Sequence, residues 1–86
     1  GTVVRVGHGL ELPADEWAAA LAEAGGELLP TVRAYLKHRG HWEATARDLG
    51  VHRNSVRHRM TRAGELLGVD FDDPDVAAHL WLALRT

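Results

Sequence analysis

The chain has 86 residues, no cysteine, 45% hydrophobic and 26% charged residues, and a formal net charge of −2. This length predicts one small domain with a modest core and argues against a deep catalytic cleft, while the lack of cysteine excludes disulfides, thiolate metal sites and thiol nucleophiles. No apolar run approaches the roughly 20 residues that cross a bilayer and no signal-peptide pattern opens the chain, so we expect a cytoplasmic protein without a membrane partner.

The first 26 residues predict a short arm and one helix. Alternating apolar residues around the Gly-rich residues 7–9 indicate a hairpin or an extended arm over residues 2–12. A helix is expected to start near Pro13 and to end at Gly25 and Gly26. Its apolar residues at helical spacing are Trp17, Ala18, Leu21, Ala22 and Ala24.

Four further helices are predicted in the rest of the chain. The first carries an apolar stripe that begins at Leu28 and is expected to stop at Gly40, and a shorter one runs from about Trp42 to Leu49. The next runs from Arg53 to about Leu67 and closes at Gly68. Its apolar stripe is narrow and consists of Val56, Met60, Ala63 and Leu67. An acidic loop then leads to a last amphipathic helix that starts at Pro74.

Residues 46–56 have the spacing of a helix-turn-helix. Two short helices that cross steeply through a three-residue turn need a small residue where they meet and, four residues later, a residue that accepts positive φ. Ala46 and Gly50 meet these two demands. The apolar wedge beneath the turn consists of Leu49, Val51 and Val56. We therefore predict an all-α fold of four or five helices with a central helix-turn-helix and a short N-terminal β-arm, in preference to a plain helical bundle.

The charged residues are unevenly distributed along the chain. Residues 33–62 contain eight of the ten Lys and Arg residues and two acidic residues, a net charge of +6, whereas the remainder contains two basic and ten acidic residues, a net charge of −8. A basic face on an acidic body is the electrostatic pattern of a surface that binds phosphates.

The helix-turn-helix and the remainder of its second helix carry a recognisable set of residues, which are Thr45-Ala46, Leu49, His52-Arg53-Asn54-Ser55-Val56, His58-Arg59-Met60 and Leu66-Leu67-Gly68. At these positions the chain resembles a known family, the C-terminal DNA-binding domains of PucR-type and sugar-diacid-type (CdaR-like) transcriptional regulators. The resemblance covers about residues 27–85, whereas residues 1–26 match no family that we can name. We accordingly divide the chain into an arm and helix over 1–26, which could end an upstream region, and a DNA-binding domain over 27–86.

Three positions depart from the family pattern. His41 stands where the family usually has Asn, so this helix start is expected to lack its usual cap. His58 replaces a common Tyr, which leaves any contact at that position open. Gly64 lies mid-helix, where it costs about 1 kcal/mol relative to Ala unless another helix packs closely against it.

The expected site residues fall into two groups. Helices that read the major groove present their N-terminal turns to base edges. The predicted base-reading residues are Arg53, Asn54, Arg57 and His58. For Asn54, capping of the helix start is an equal alternative. The predicted phosphate contacts, which set register without reading sequence, are Lys37, Arg39, Thr45, Arg47, Ser55, Arg59 and Arg62. Arg59, at the edge of the apolar stripe, could instead form an ion pair, and a solvated surface is the alternative for the others.

The resemblance implies sequence-specific binding of double-stranded DNA by a bacterial regulator that acts as a homodimer near the nucleoid, with any effector bound elsewhere. Because the chain begins with Gly1, we interpret it as a piece of that longer protein. We expect no catalytic residues, cofactor or metal; His38 and His41 are three residues apart but lack a third ligand. The alternative function is a helical protein-interaction module whose basic face meets an acidic partner.

Overall fold

The computed structural model describes residues 3–5 and 11–84, with side chains from residue 16 onward. The elements in chain order are β1 Val3–Arg5, β2 Glu11–Pro13, α1 Ala14–Ala24, α2 Leu28–Lys37, α3 Trp42–Leu49, α4 Arg53–Leu67 and α5 Pro74–Leu84. The two strands pair antiparallel, with Val4 opposite Leu12. The small all-α class is confirmed, and the arm takes the form of a hairpin, although its expected Gly-rich turn lies outside the described residues.

The end of α2 differs from the expectation. The helix ends at Lys37 rather than at Gly40, because Arg39 takes a left-handed conformation with φ of 54°. The N–H of Gly40 then donates to the carbonyl of Tyr35 at 2.9 Å, and the N–H of Arg39 to that of Leu36 at 3.1 Å. This is the hydrogen-bond pattern of a Schellman motif, here with a non-glycine residue in the left-handed position.

One apolar core joins all five helices. The buried hydrophobic residues of this core are Trp17, Leu21, Leu28, Val32, Tyr35, Ala46, Val56, Met60, Ala63, Val76, Leu80 and Leu84. Helix α1 contributes Trp17 and Leu21 and packs against α2, α4 and α5, whereas Ala22 and Ala24, expected on its apolar stripe, are exposed. The division of the chain at residue 27 stays a prediction.

Gly64 has a local reason to be glycine inside α4. A Cβ at this position would lie 3.2 Å from the carbonyl oxygen of Val69 and 3.7 Å from the ring of Phe71. The close neighbour is therefore the α4–α5 connection rather than the packed helix that the sequence suggested. This close approach opposes the gain in helix propensity that an alanine would otherwise bring.

Candidate nucleic-acid interface

The turn between α3 and α4 has the predicted geometry. Gly50 has φ of 69°, and its N–H donates to the carbonyl of Arg47 at 3.3 Å. The N–H of Val51 donates to the carbonyl of Ala46 at 3.0 Å, which completes a second Schellman motif. Ala46 is buried in the core. The positive φ expected of Gly50 is confirmed, and the burial of Ala46 agrees with the small residue expected there.

Replacing Gly50 tests whether this turn requires a residue that adopts the left-handed conformation without strain. A Cβ at Gly50 would meet no atom within 4 Å, so the cost of Gly50→Ala comes from left-handed strain alone, about 1–2 kcal/mol. Gly50→Asn is the matched control, because asparagine tolerates this conformation better than other side chains. We expect urea unfolding to rank the stabilities as wild type, then Asn, then Ala. Equal stability of the wild type and the alanine variant would contradict the strain at this position.

The start of α4 is capped by a residue that the sequence analysis did not assign to this role. His52 occupies the N-cap in an extended conformation, and its Nδ1 accepts a hydrogen bond from the backbone N–H of Asn54 at 3.1 Å. The capping alternative for the Asn54 side chain is therefore wrong, and that side chain is exposed. The position of His52 directly before the helix was the available signal. At the start of α3, His41 provides no side-chain cap, as expected.

The four predicted base-reading residues lie on the first two turns of α4, and all are exposed. Arg53 and Arg57 line a groove between α3 and α4. We call this the basic groove; its lining residues are His41, Trp42, Glu43, Ala44, Arg47, Arg53 and Arg57. Three arginines therefore share one surface at the helix-turn-helix.

Glu43 is a residue of this groove that the sequence analysis missed. Its Oε1 lies 3.4 Å from Nη1 of Arg53, and both side chains are more than half exposed. An exposed pair of this kind contributes at most about 1 kcal/mol, so a ligand can displace it. Glu43 is one of only two acidic residues in the basic segment 33–62, and that isolation was the signal that could have drawn attention to it.

The predicted phosphate contacts are spread over several surfaces. Among them, only Arg47 lies in the basic groove. Nζ of Lys37 lies 3.8 Å from Oδ2 of Asp48. Arg39 is exposed in the α2–α3 turn. Ser55 is half buried in the first turn of α4.

Two of these arginines extend from α4 towards the start of α2. Arg59 donates from Nη1 to the hydroxyl of Thr31 at 3.4 Å. Nη1 of Arg62 lies 3.7 Å from the position that a Cβ would take on Gly26, in the α1–α2 turn. Arg59 is thus partly engaged within the fold, whereas Arg62 stays exposed.

Thr45 was wrongly predicted to contact a phosphate. Its side chain is fully buried, with 0% exposure. Its hydroxyl donates to the carbonyl of His41 at 2.7 Å, within the first turn of α3. A phosphate cannot reach a side chain that the core covers. The bond to His41 satisfies the buried Thr45 hydroxyl itself, since the same carbonyl also accepts from the backbone N–H of Thr45 at 3.0 Å.

A small ionic cluster links the ends of α2 and α3. Nε2 of His38 lies 2.8 Å from Oδ2 of Asp48, and Nζ of Lys37 lies 3.8 Å from the same oxygen. The hydrogen bond from His38, followed by the positive charge of Lys37, lowers the pKa of Asp48 below its ordinary value of 3.8. His38 is thus paired with a carboxylate, and among residues 16–84 no group of three His, Asp or Glu side chains is arranged to hold a metal ion.

This cluster predicts a pH dependence of stability. A carboxyl whose pKa is lowered by folding stabilises the fold at pH values above its unfolded pKa, and that contribution is lost as the pH falls through the folded value. We therefore expect wild type to be more stable than Asp48→Asn at pH 6, and the difference to vanish as the pH falls from about 4 towards 2. Urea unfolding of both proteins across this range measures it. A difference in stability between the two proteins that does not change with pH would contradict the assignment of this stabilisation to the charged Asp48 carboxylate.

Comparison with known proteins identifies the family to which this geometry belongs. Residues 28–86 match the PucR C-terminal helix-turn-helix domain. The chain belongs to this family. It is 51% identical over 57 residues to an uncharacterised protein in the pkwA 5′ region of Thermomonospora curvata, 43% over 58 residues to the purine catabolism regulatory protein of Bacillus subtilis, and 34% over 77 residues to the carbohydrate diacid regulator of Escherichia coli. No solved structure matches the chain.

These matches cover only part of each relative. They span 66%, 67% and 84% of this chain but 32%, 11% and 20% of the respective relatives. The match to the family confirms the resemblance to PucR-type and CdaR-like regulators, and the chain contains a helix-turn-helix domain of the kind found in transcriptional regulators. None of the helices in the described part of the chain is long and apolar enough to span a membrane.

Proposed function

We propose that the chain binds double-stranded DNA sequence-specifically, with α4 inserted into the major groove, as part of a transcriptional regulator. The observation that carries this proposal is the exposure of Arg53, Asn54, Arg57 and His58 on the N-terminal turns of α4, directly after the helix-turn-helix bend at Gly50. These turns are the part of a recognition helix that contacts base edges.

Each of these side chains has a defined chemistry towards bases. Arg53 and Arg57 can each donate two hydrogen bonds to O6 and N7 of guanine, and Asn54 can pair with N6 and N7 of adenine. His58 supplies a ring nitrogen one turn further along the helix. Arg53 has to leave Glu43 to reach a base, at a small cost for so exposed a pair.

The remaining basic residues are proposed to hold the DNA backbone. Arg47 borders the base-reading surface, and Arg62 is exposed further along α4. Such contacts set the register of the protein on the duplex and make affinity depend on salt. Lys37, Arg39, Ser55 and Arg59 complete the proposed set, from which Thr45 is removed because it is buried.

The setting of the domain is also a proposal. The chain spans a third or less of the relatives just described, so the effector and the oligomeric state are proposed here for a longer protein. We propose a cytoplasmic, nucleoid-associated homodimer that binds half-sites about one helical turn, or a multiple of it, apart, with any effector bound outside this chain.

Selection of bound duplexes from a random pool tests the function. Wild type is expected to enrich one motif with guanines at the positions read by Arg53 and Arg57, and the folded double variant Arg53→Ala/Arg57→Ala is expected to enrich none. Binding without any enriched motif would contradict sequence reading. The absence of duplex binding at low salt would instead favour a protein-interaction module that presents a basic face.

A further inference from the structure

One acidic side chain lies among the three arginines of the basic groove. Glu43, in the first turn of α3, lines this groove together with Arg47, Arg53 and Arg57. Its side chain is 74% exposed, and its Oε1 lies 3.4 Å from Nη1 of Arg53. The phosphates of DNA repel a carboxylate, so contact with the DNA backbone does not account for Glu43 at this place.

The stability of the fold depends little on the pair of Glu43 with Arg53. Both side chains are more than half exposed, and ion pairs between exposed side chains add little to stability. A carboxylate in the first turn also interacts favourably with the dipole of α3, whose start has no side-chain cap. That interaction requires an acid in the first turn, but not one that lines the basic groove.

Asp48, the other acidic residue of the basic segment, has a different environment. It lies in the last turn of α3 and does not line the basic groove, and its carboxylate is paired with His38 and Lys37. Glu43 is paired with Arg53 instead, and Arg53 is proposed to leave this pair for a base. The carboxylate of Glu43 is then an acceptor without its partner, on the surface that is proposed to face the major groove.

The major groove offers a donor that suits a carboxylate, the N4 amino group of cytosine. Guanine presents only the acceptors O6 and N7 there, and adenine places its acceptor N7 beside its N6 donor, so both bases suit a carboxylate less well. Arg53 and Glu43 thus have complementary chemistry, since the guanidinium binds guanine and the carboxylate binds cytosine. The 3.4 Å between Oε1 and Nη1 is close to the rise of about 3.4 Å between successive base pairs.

We propose that Glu43 is a further specificity-determining residue, whose carboxylate accepts a hydrogen bond from N4 of a cytosine in the base pair next to the guanine that Arg53 binds. This role rests on the DNA binding proposed above, and it adds a base-reading side chain on α3 to the four on α4. A duplex with another base at this position binds less well, because it leaves the carboxylate without a donor.

Selection of duplexes from a random pool with wild type, Arg53→Ala and Glu43→Gln tests the proposal. The guanine that Arg53→Ala no longer selects marks the base read by Arg53. We expect Glu43→Gln to keep this guanine and to lose the neighbouring cytosine, because glutamine pairs with adenine instead. In fluorescence anisotropy, replacing this cytosine by thymine is expected to weaken wild-type binding about tenfold, as one mismatched base pair commonly does, and to change the binding of Glu43→Gln little.

The matched control variant is Asp48→Asn, which removes the same charge from the same helix outside the basic groove. It is expected to select both the guanine and the cytosine, as wild type does. A change in base preference with Glu43→Gln alone is a result that neither the helix dipole nor the overall charge would produce.

Three results would overturn the role of Glu43 while leaving DNA reading by Arg53 in place. The first is a wild-type motif without this cytosine. The second is a Glu43→Gln motif identical to that of wild type, even with tighter binding of every duplex, because Glu43 would then act through its charge alone. The third is the loss of guanine and cytosine together, because Glu43 would then only position Arg53. A wild type that enriches no motif would overturn the proposed function as well.

Discussion

Arg57→Ala is expected to weaken binding to the selected duplex by about 1–3 kcal/mol, the usual cost of losing a bidentate base contact. Arg57 is exposed and lines the basic groove, the surface that is proposed to face the major groove. Binding to a random duplex should fall much less, because there the residue contributes only charge. Fluorescence anisotropy with both duplexes measures the ratio of the two affinities, which is expected to fall.

Arg62→Ala is the matched control for this experiment. It removes the same side chain from the same helix, but at an exposed site next to the α1–α2 turn rather than in the basic groove. We expect it to weaken both duplexes equally and to reduce the slope of log K against log salt by about one. If Arg57→Ala behaves in the same way, Arg57 contacts the phosphate backbone and the proposed base reading is wrong.

Leu21→Ala is expected to destabilise the fold by about 2–5 kcal/mol. Leu21 has 0% exposure and lies in the core that α1 shares with α2, α4 and α5. Because small domains have a total stability of only about 5–15 kcal/mol, this loss would be a large share of the whole. Urea unfolding followed by circular dichroism gives the free energy of unfolding for each variant.

Leu82→Ala removes the same atoms from an exposed position and is the control. Leu82 is 55% exposed on α5, so its truncation leaves no cavity and is expected to change stability by no more than about 0.5 kcal/mol. If Leu21→Ala lowers the free energy of unfolding as little as Leu82→Ala does, α1 does not pack into the core in solution. Residues 1–26 would then form a separate unit, as the division of the sequence at residue 27 predicts.

The bounds of α3 and α4 and the start of α5 could be predicted from the sequence, because local signals mark them. Gly50 and Gly68 end their helices in the left-handed conformation that glycine adopts without strain, and Pro74 opens α5 where its missing N–H is not needed. The end of α2 was predicted three residues too late. Arg39 adopts the left-handed conformation in its place, and no composition rule singles out an arginine for that position.

The apolar periodicity of α4 was enough to predict which face of this helix is buried. It therefore also predicted which of its residues are exposed after Gly50, on the side that is proposed to contact DNA. Periodicity says nothing about a polar residue that a neighbouring helix covers, so only the packing of α3 decided that Thr45 is buried. The ion pair of Glu43 with Arg53 also depends on tertiary structure. It joins side chains from α3 and α4, and their proximity follows from how the two helices cross rather than from spacing along the chain.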